Sequence, residues 1–251
     1  MKIKIATVSE LIPPECERAL MLRGFRVVTL PPAGRMSEAV DAHADMLIAR
    51  LGSDYVTTAD YCERAGCSIS EIYDAVHPRF HFTSDEHGRE YPRDVILNCL
   101  VMGDRVFARL ASLSPYLKEL AKERGYELVD VNQGYPACTV LKLSDGAVIT
   151  ADEGMARVLG EHGIRVYRIA NGGIALPPHE YGFIGGAAGV WDGVVYFLGD
   201  ISCHPSYTAI LEALKSEGMP HVSLSGEIPV DLGGILFSDG DLDQYGHDRH
   251  E

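Results

Sequence analysis

One pattern repeats five times along this chain: two strand-like segments, a helix-like segment and a further strand-like segment. We align the repeats on their predicted first strands, which read HADMLIA, PRDVILN, PACTVLK, HEYGFIG and PVDLGGI. The third residues of these segments are spaced by 49, 44, 43 and 50 positions, and they are Asp45, Asp94, Cys138, Tyr181 and Asp231. A period of this size indicates an array of similar units, which we number 1 to 5 in that order.

The two ends of the chain indicate how the array closes. Simple alternation would give one strand for each helix and a parallel sheet, whereas each helix here comes with more than one strand. The N-terminal segments KIKIATVS, PECERALMLRG and FRVVTL lack a first strand, and GGILFSD near the C-terminus is a spare one. We therefore predict an α/β fold, a five-bladed α/β propeller of pseudo-symmetric ββαβ units, closed by pairing of the N-terminal and C-terminal strands.

Local signals within the units support these assignments. Asp145-Gly146, between CTVLKL and GAVITA, predicts a tight hairpin turn. Gly24 and Gly163 are expected to end two of the helices, because glycine readily adopts the left-handed conformation that stops a helix. Unit 1 fits more loosely, with YVTTAD predicted as a strand and SISEIYDAV as the helix.

Composition limits the partners of the chain. Its 251 residues include 22 Lys and Arg against 36 Asp and Glu, a net charge of −14. Such a chain is poorly suited to nucleic acid or an anionic membrane, and it favours a cationic small-molecule ligand. No stretch is long and apolar enough for a membrane span or a signal peptide, so we expect a cytoplasmic protein with six reduced cysteines. Residues 1–245 are predicted to form one domain, and residues 246–251 an acidic, histidine-containing tail.

Three stretches carry a resemblance to a known fold. NQGYPACTVLKLSDGAVITADEG, YGFIGGAAGV and YFLGDISCHPS together resemble an uncharacterised bacterial family assigned to the pentein, or guanidine-modifying-enzyme, fold. The resemblance covers the middle and C-terminal half of the chain, whereas residues 1–90 resemble the fold only through the repeat. It implies five units in a ring around a central pocket.

In such a ring the first strands run beside the axis, so the aligned residues would converge on one pocket. The carboxylates of Asp45, Asp94 and Asp231 could bind a guanidinium through bidentate hydrogen bonds and shift one another's pKa by repulsion. The alternative is that these aspartates cap turns between units, a common role for this residue. We predict Asp94, Asp231 and Tyr181 as substrate-binding residues and Asp45 as a catalytic residue.

The catalytic set implied by the resemblance is incomplete in this chain. Catalytic members of the superfamily use a cysteine of the last unit, in a Gly-Gly-x-His-Cys type setting, together with a histidine and paired carboxylates. Gly233-Gly234 matches the glycines, but no cysteine follows Cys203. The histidine of those enzymes begins a His-x-Asp at the start of the fourth unit. Here that place reads His179-Glu180-Tyr181, which matches the histidine and not the aspartate.

Cys138 is the cysteine that stands at an aligned position. We predict it as the nucleophile, with His179 as its base and His43 as the other candidate, because a neighbouring base or cation lowers the pKa of a thiol. The alternative is a structural thiol, since buried cysteine packs as a small hydrophobic side chain.

Junctions between units supply further polar candidates. Asn132, in NQGYP, and Glu180 are predicted to bind substrate, although turn roles suit both segments. Cys62 and Cys67 form a C-x4-C pair, but structural zinc needs four ligands, usually two close pairs, and the sequence has no second pair. We therefore expect neither a metal ion nor another cofactor.

Two functions follow as hypotheses. The first is a hydrolase or transferase that acts on a guanidino- or amidino-type cation in an acidic central pocket. The second is a non-catalytic module that binds a small molecule or a protein on the same scaffold. The absence of the last-unit cysteine favours the second, and the convergent carboxylates and acidic charge favour the first.

The most glycine-rich stretch, HEYGFIGGAAGVWDG at residues 179–193, does not have the context of a phosphate loop. Such a loop leads from a strand directly into a helix, whereas here a turn, Trp191-Asp192-Gly193, is followed by the strand VVYFLGD. We predict a first strand pressed against neighbouring backbone near the ring axis, where side chains have no room.

Overall fold

Each predicted unit forms its own small sheet. The computed structural model describes residues 2–241, and within them five three-stranded sheets succeed one another along the chain. In every sheet the first two strands are antiparallel, and the third joins through a helix as a parallel neighbour of the second. The predicted five-bladed α/β propeller is confirmed. The predicted domain, residues 1–245, extends beyond this range, and the predicted tail, residues 246–251, lies outside the described residues.

The elements follow in chain order. They are β1 (Lys2–Ser9), α1 (Pro14–Leu22), β2 (Phe25–Leu30), α2 (Ala44–Leu47), β3 (Ala49–Leu51), β4 (Asp54–Thr58), α3 (Ala59–Arg64), α4 (Gly66–Val76), β5 (Arg79–Thr83), β6 (Leu100–Met102), β7 (Arg105–Ala108), α5 (Pro115–Glu123), β8 (Glu127–Asp130), α6 (Pro136–Thr139), β9 (Val140–Ser144), β10 (Ala147–Thr150), α7 (Glu153–Glu161), β11 (Arg165–Arg168), β12 (Ala188–Trp191), β13 (Val194–Phe197), a 3-10 turn (Ile201–Cys203), α8 (Tyr207–Ser216), β14 (His221–Ser223) and β15 (Leu236–Asp241). Units 1 to 4 contain β3–β5, β6–β8, β9–β11 and β12–β14, and unit 5 combines β15 with β1 and β2.

The two ends of the described chain close the ring. β15 pairs antiparallel with β1 from Lys2 opposite Asp241 to Thr7 opposite Leu236, as predicted. Buried apolar residues form five clusters, and each cluster lies between two successive units, including units 5 and 1. Burial of apolar surface between neighbours is therefore what holds the units together around the whole ring.

The local signals in the sequence have the expected structural roles. Gly24 and Gly163 follow helices α1 and α7 with φ values of 82° and 79°. Asp145-Gly146 connects the antiparallel pair β9 and β10. Helix α7 begins at Asp152, whose carboxylate accepts a hydrogen bond from the Met155 amide at 2.7 Å. Within residues 2–241, no helix has the length and apolar character that a membrane crossing requires.

The predicted first strands were placed too early. HADMLIA and PACTVLK begin as the helical turns α2 and α6, and the other three heptapeptides contain turns or loops, so that the strands start at Ala49, Leu100, Val140, Ala188 and Leu236. Backbone groups of these turns bond to neighbouring units instead of to a strand: the Asp45 amide donates to Gly233 O, and the Gly186 amide donates to Cys138 O at 2.9 Å.

In unit 1 the predicted strand YVTTAD is too long. YVTTAD does not remain extended to its end, because β4 stops at Thr58, whose hydroxyl accepts a hydrogen bond from the Tyr61 amide and caps helix α3. The predicted helix SISEIYDAV lies within α4.

Candidate active site

The turns before the first strands carry four of the five aligned residues into the centre of the ring. Asp45, Asp94, Cys138 and Asp231 are 8%, 2%, 2% and 1% exposed. Each comes from a different unit or unit junction, so closing the ring is what brings them together. They are buried and do not lie on solvated turns between units. The fifth aligned residue, Tyr181, is partly buried.

A cavity of about 600 Å³ lies against Asp94, Cys138, Tyr181 and Asp231. Its buried end is lined by His43, Asp94, Cys138 and Asp231, and its exposed end by Arg89, Glu90, His179 and Glu180. Tyr91, Tyr135, Tyr181 and Phe183 supply aromatic side walls. A volume of this size, with a few polar groups at the closed end, suits a small-molecule ligand.

Cys138 lies at the closed end of the cavity. Its thiol donates a hydrogen bond to Asp45 Oδ2 at 2.7 Å and accepts one from Asn98 Nδ2 at 3.5 Å. Burial, and then the nearby carboxylates of Asp45 and Asp231, raise the pKa of this thiol well above its usual value. In the ligand-free protein the sulfur is therefore a neutral thiol and not a thiolate.

His43 and Asp231 complete the group around the thiol. A nitrogen of His43, the sulfur of Cys138 and a carboxylate oxygen of Asp231 all lie within 4.8 Å of one another. His43 Nδ1 is 3.7 Å from Asp231 Oδ1. Neither imidazole nitrogen makes a hydrogen bond of normal geometry to any described residue. Burial lowers the pKa of His43, which favours the neutral ring, and burial raises the pKa of Asp231 to about 7.

Glycines make room for this group. A Cβ on Gly186 would lie 1.8 Å from Asp231 Oδ1, and a Cβ on Gly233 would lie 2.5 Å from Asp45 Oδ1 and 2.7 Å from His43 Cβ. The Asp231 carboxylate occupies the space beside Gly186 and accepts hydrogen bonds from the Phe183 amide at 2.8 Å and the Gly233 amide at 3.2 Å. The predicted crowding at the glycine-rich stretch is real, but the crowding residues form a turn at 184–187 and not a strand.

Asp94 lines another part of the cavity with Tyr135. The Tyr135 hydroxyl donates to Asp94 Oδ2 at 2.6 Å, whereas Asp94 Oδ1 is buried and has no hydrogen-bond partner among residues 2–241. Burial and the neighbouring Asp94 raise the pKa of Tyr135, so the phenol remains a donor. The free oxygen of Asp94 is available to a ligand.

The structure places the predicted site residues in four different settings. Cys138, Asp94 and Asp231 line the buried end of the cavity, and His179, Glu180 and Tyr181 line its outer part. Asp45 lies behind Cys138 and contacts it directly. Asn132 is exposed and does not line the cavity, and its side chain accepts a hydrogen bond from Arg109 at 3.1 Å.

The structure places the two histidines that were candidates for the base at opposite ends of the cavity. His43 and His179 both begin an aligned heptapeptide, yet His43 is 2% exposed beside Cys138 whereas His179 is exposed at the cavity entrance. Tyr135 and Asn98 were not predicted as site residues. Tyr135 directly precedes PACTVLK and Asn98 is the last residue of PRDVILN, and this position at the edge of an aligned segment is the signal that could have identified them.

Comparisons with known proteins identify the same architecture. A dimethylarginine dimethylaminohydrolase bound to S-methyl-L-thiocitrulline is similar with a TM-score of 0.56 and 11% identity, over 90% of this chain and 93% of that one. The Pseudomonas aeruginosa dimethylarginine dimethylaminohydrolase complexed with citrulline is similar with a TM-score of 0.52 and 12% identity, over 94% of this chain and 98% of that one. An amidinotransferase of saxitoxin biosynthesis from Microseira wollei is similar with a TM-score of 0.50 and 12% identity, over 86% of this chain and 77% of that one.

At these identities the likeness establishes the fold, and the pentein architecture implied by the resemblance is confirmed. Among curated proteins, no sequence matches this chain. A family model matches residues 7–236, which is most of the chain. The chain therefore belongs to the family of unknown function DUF6873.

Proposed function

We propose that this protein binds a guanidino- or amidino-type cation in the central cavity and, through Cys138, hydrolyses it or transfers its amidino group. The observation that carries this proposal is the meeting of a thiol, an imidazole and buried carboxylates at the closed end of one cavity. Nucleophile, base and cation-binding groups are the parts that such a reaction requires.

Recognition of the cation would fall to the carboxylates. Asp94 Oδ1 has no hydrogen-bond partner among the described residues, and Asp231 lines the same cavity. A guanidinium presents paired N–H donors that match a carboxylate in a bidentate, charge-assisted arrangement. The aromatic rings of Tyr91 and Tyr135, whose centroids are 5.8 Å apart, offer a face for the planar cation.

The chemical step would start at Cys138. Sγ attacks the amidino carbon, and the thiol proton leaves its hydrogen bond to Asp45 Oδ2 and passes to His43. The bond from that carbon to the leaving amine breaks, and the amine departs with the proton from His43. Water then adds to the carbon and releases Sγ as a thiol, which gives a ureido product, whereas attack by an acceptor amine gives amidino transfer. A bound cation assists the first step, because its positive charge lowers the pKa of the thiol.

Similar structures support the class of ligand. The dimethylaminohydrolases act on dimethylarginine and one of them is bound to citrulline, and the third similar protein is an amidinotransferase. The six cysteines of this chain are free thiols, which agrees with the cytoplasmic location that we propose.

The test is turnover of a panel of guanidino acids and guanidino amines, with ureido products measured by colorimetry and mass spectrometry. Wild type should turn over at least one compound, and Cys138→Ser should be slower by more than about 1000-fold. Cys203→Ser, which changes an exposed thiol away from the cavity, is the matched control. A wild type inert to every compound, or a Cys138→Ser variant as active as wild type, refutes the catalytic proposal.

A second candidate is binding without turnover. The observation that favours it is the hydrogen bond from the neutral Cys138 thiol to Asp45 Oδ2, which keeps the sulfur in its unreactive form. In that case calorimetry should detect a guanidino ligand that Asp94→Asn weakens, while no product forms with wild type. Product formation would exclude this candidate.

A further inference from the structure

The group formed by His43, Cys138 and Asp231 places three potential metal ligands together, which goes beyond the roles that the proposed amidino chemistry gives them. The three side chains come from different units, are 2%, 2% and 1% exposed, and each places one nitrogen, sulfur or oxygen atom within 4.8 Å of the other two. Their positions are separated by 95 and 93 residues in the chain, which is why no spacing in the sequence indicates the group.

The polar atoms of this group are poorly satisfied. Both nitrogens of His43, which lines the cavity, are buried without a hydrogen bond of normal geometry to any residue between 2 and 241. The His43 ring faces backbone groups of Ala39 and Asp231, but not at the distances and angles of normal hydrogen bonds. Buried polar groups are nearly always satisfied, so orphaned atoms that line a cavity indicate a species that has to bind there.

We propose that His43, Cys138 and Asp231 bind a zinc ion, with the fourth coordination position open to the cavity. Zinc takes imidazole nitrogen, thiolate sulfur and carboxylate oxygen at about 2.0–2.3 Å, which places the nitrogen and oxygen ligands of a tetrahedral site about 3.3–3.5 Å apart. His43 Nδ1 and Asp231 Oδ1 are 3.7 Å apart, so a small side-chain movement would bring them to that separation. All three ligands line the cavity, so the open position faces it.

Neighbouring groups can accept the proton of the Cys138 thiol and balance the charge of the zinc ion. When Cys138 binds zinc as a thiolate, its proton can pass to Asp45, which already accepts the S–H hydrogen bond at 2.7 Å. The zinc charge is then balanced by one thiolate and the Asp231 carboxylate, with His43 neutral, so the buried group carries no net charge. Asn98 still donates to the sulfur, and the Phe183 and Gly233 amides still orient Asp231, as outer partners of metal ligands do.

The donor set also selects among metals. A thiolate and an imidazole together favour zinc over magnesium and calcium, which prefer oxygen ligands. Three protein ligands with a fourth position facing a cavity are the arrangement of zinc sites that bind a water or a substrate, whereas structural sites use four protein ligands.

A zinc ion would bind the thiol and the imidazole that the amidino chemistry uses, so a molecule that holds zinc would not carry out that chemistry. The two proposals are still tested separately, because metal binding is measured without substrate and turnover is measured in chelator-treated protein. Failure to bind zinc would leave the guanidino proposal standing, and an inert guanidino panel would leave the zinc proposal standing. The starting protein carries Cys67→Ser and Cys203→Ser, which removes the two exposed thiols that could bind metal adventitiously.

The experiment titrates this chelator-treated protein with Co²⁺ and Zn²⁺. We expect one Co²⁺ per chain with an intense near-ultraviolet thiolate-to-cobalt charge-transfer band, which Zn²⁺ abolishes by displacement. Cys138→Ser should remove the band and lower the affinity for Zn²⁺ by more than about 100-fold, since even the loss of a residue that only hydrogen-bonds to a metal ligand lowers metal affinity by about 10–100-fold. His43→Gln and Asp231→Asn should retain the band with weaker cobalt affinity.

Two outcomes overturn the proposal. One is the absence of a thiolate band in the starting protein at saturating Co²⁺, a result that needs no variant to fold. The other is a Cys138→Ser variant with the same band or the same Zn²⁺ affinity. Histidines of the tail, His247 and His250, can bind zinc, but they cannot produce a thiolate band. Circular dichroism of each variant verifies that loss of affinity is not loss of the fold.

Discussion

The replacement of Gly186 by alanine tests how tightly the central group is packed. A Cβ at this position would lie 1.8 Å from Asp231 Oδ1 and 2.6 Å from Asp231 Cγ, far inside van der Waals contact. The φ angle of Gly186 is not in the left-handed region, so the backbone itself tolerates alanine. Any cost therefore comes from the displaced carboxylate.

The magnitude follows from what the carboxylate would lose. Asp231 accepts two buried hydrogen bonds, from the Phe183 and Gly233 amides. Hydrogen bonds to charged groups contribute about 1.5–3 kcal/mol each, and overpacking costs about 1–3 kcal/mol, with partial relaxation reducing the sum. We expect Gly186→Ala to lower the free energy of unfolding by about 3–5 kcal/mol and to abolish ligand or metal binding at the site.

The assay is urea denaturation of four variants beside wild type: Gly186→Ala, Gly160→Ala, Asp231→Ala and the double variant Gly186→Ala/Asp231→Ala. Gly160→Ala is the matched control, because Gly160 lies exposed in helix α7 with no atom within 4 Å of its Cβ position, and it should stabilise the protein by about 0.5–1 kcal/mol. In Gly186→Ala/Asp231→Ala the colliding atoms are gone. That double variant should be within about 1 kcal/mol of Asp231→Ala alone.

Two results would refute this reasoning. A Gly186→Ala variant as stable as wild type would mean that the carboxylate moves freely and is not held by its two amides. Simple additivity of the Gly186 and Asp231 substitutions would mean that the cost arises somewhere other than their contact.

Two further substitutions test the ring. Asp54 is 1% exposed and accepts hydrogen bonds from Arg79 and Arg124, so Asp54→Asn should cost about 2–3 kcal/mol at pH 7, less than a fully buried pair because both arginines are partly exposed. The hydrogen bonds, led by that from Arg124, lower the pKa of Asp54, so this stabilisation is complete above the unfolded pKa of about 4 and is lost as the pH falls below it. Denaturation curves should therefore show the two proteins converging in acid, and a gap that stays constant would contradict the assignment. Phe237 on β15 is 5% exposed, and its ring centroid is 4.9 Å from that of Phe25. Phe237→Ala should lower the free energy of unfolding by about 3–5 kcal/mol in thermal unfolding. A loss under about 1 kcal/mol would count against a role of Phe237 in closing the ring.

The repeat made the fold predictable from sequence. A chain with five similar units, one lacking a strand and one with a strand to spare, has few ways to pair every strand other than a closed ring. The same alignment brought Asp45, Asp94, Cys138 and Asp231 to equivalent positions, and these four are the buried residues at the centre. Equivalent positions in repeated units face the same axis, so this part of the site follows from symmetry.

The rest of the site depends on differences between the five units, which the spacing of the repeats in the sequence does not reveal. His43 and His179 occupy the same place in their heptapeptides, but only the first is covered by neighbouring units. The first strands were placed early because short apolar runs such as HADMLIA suit a helical turn as well as a strand. Asn132 was selected for its polarity at a junction, although polarity does not tell which way a junction turns.

Closure of the ring has a thermodynamic consequence for the central group. No single unit contains more than part of it: His43 and Asp45 precede β3, Cys138 precedes β9 and Asp231 precedes β15. Whatever binds there binds only the closed form, and at 100 times its dissociation constant it stabilises that form by about 2.7 kcal/mol. Hydrogen exchange at the amides that pair β1 with β15 should slow by the same linkage. Those two strands would then report occupancy of a site to which they contribute none of these side chains.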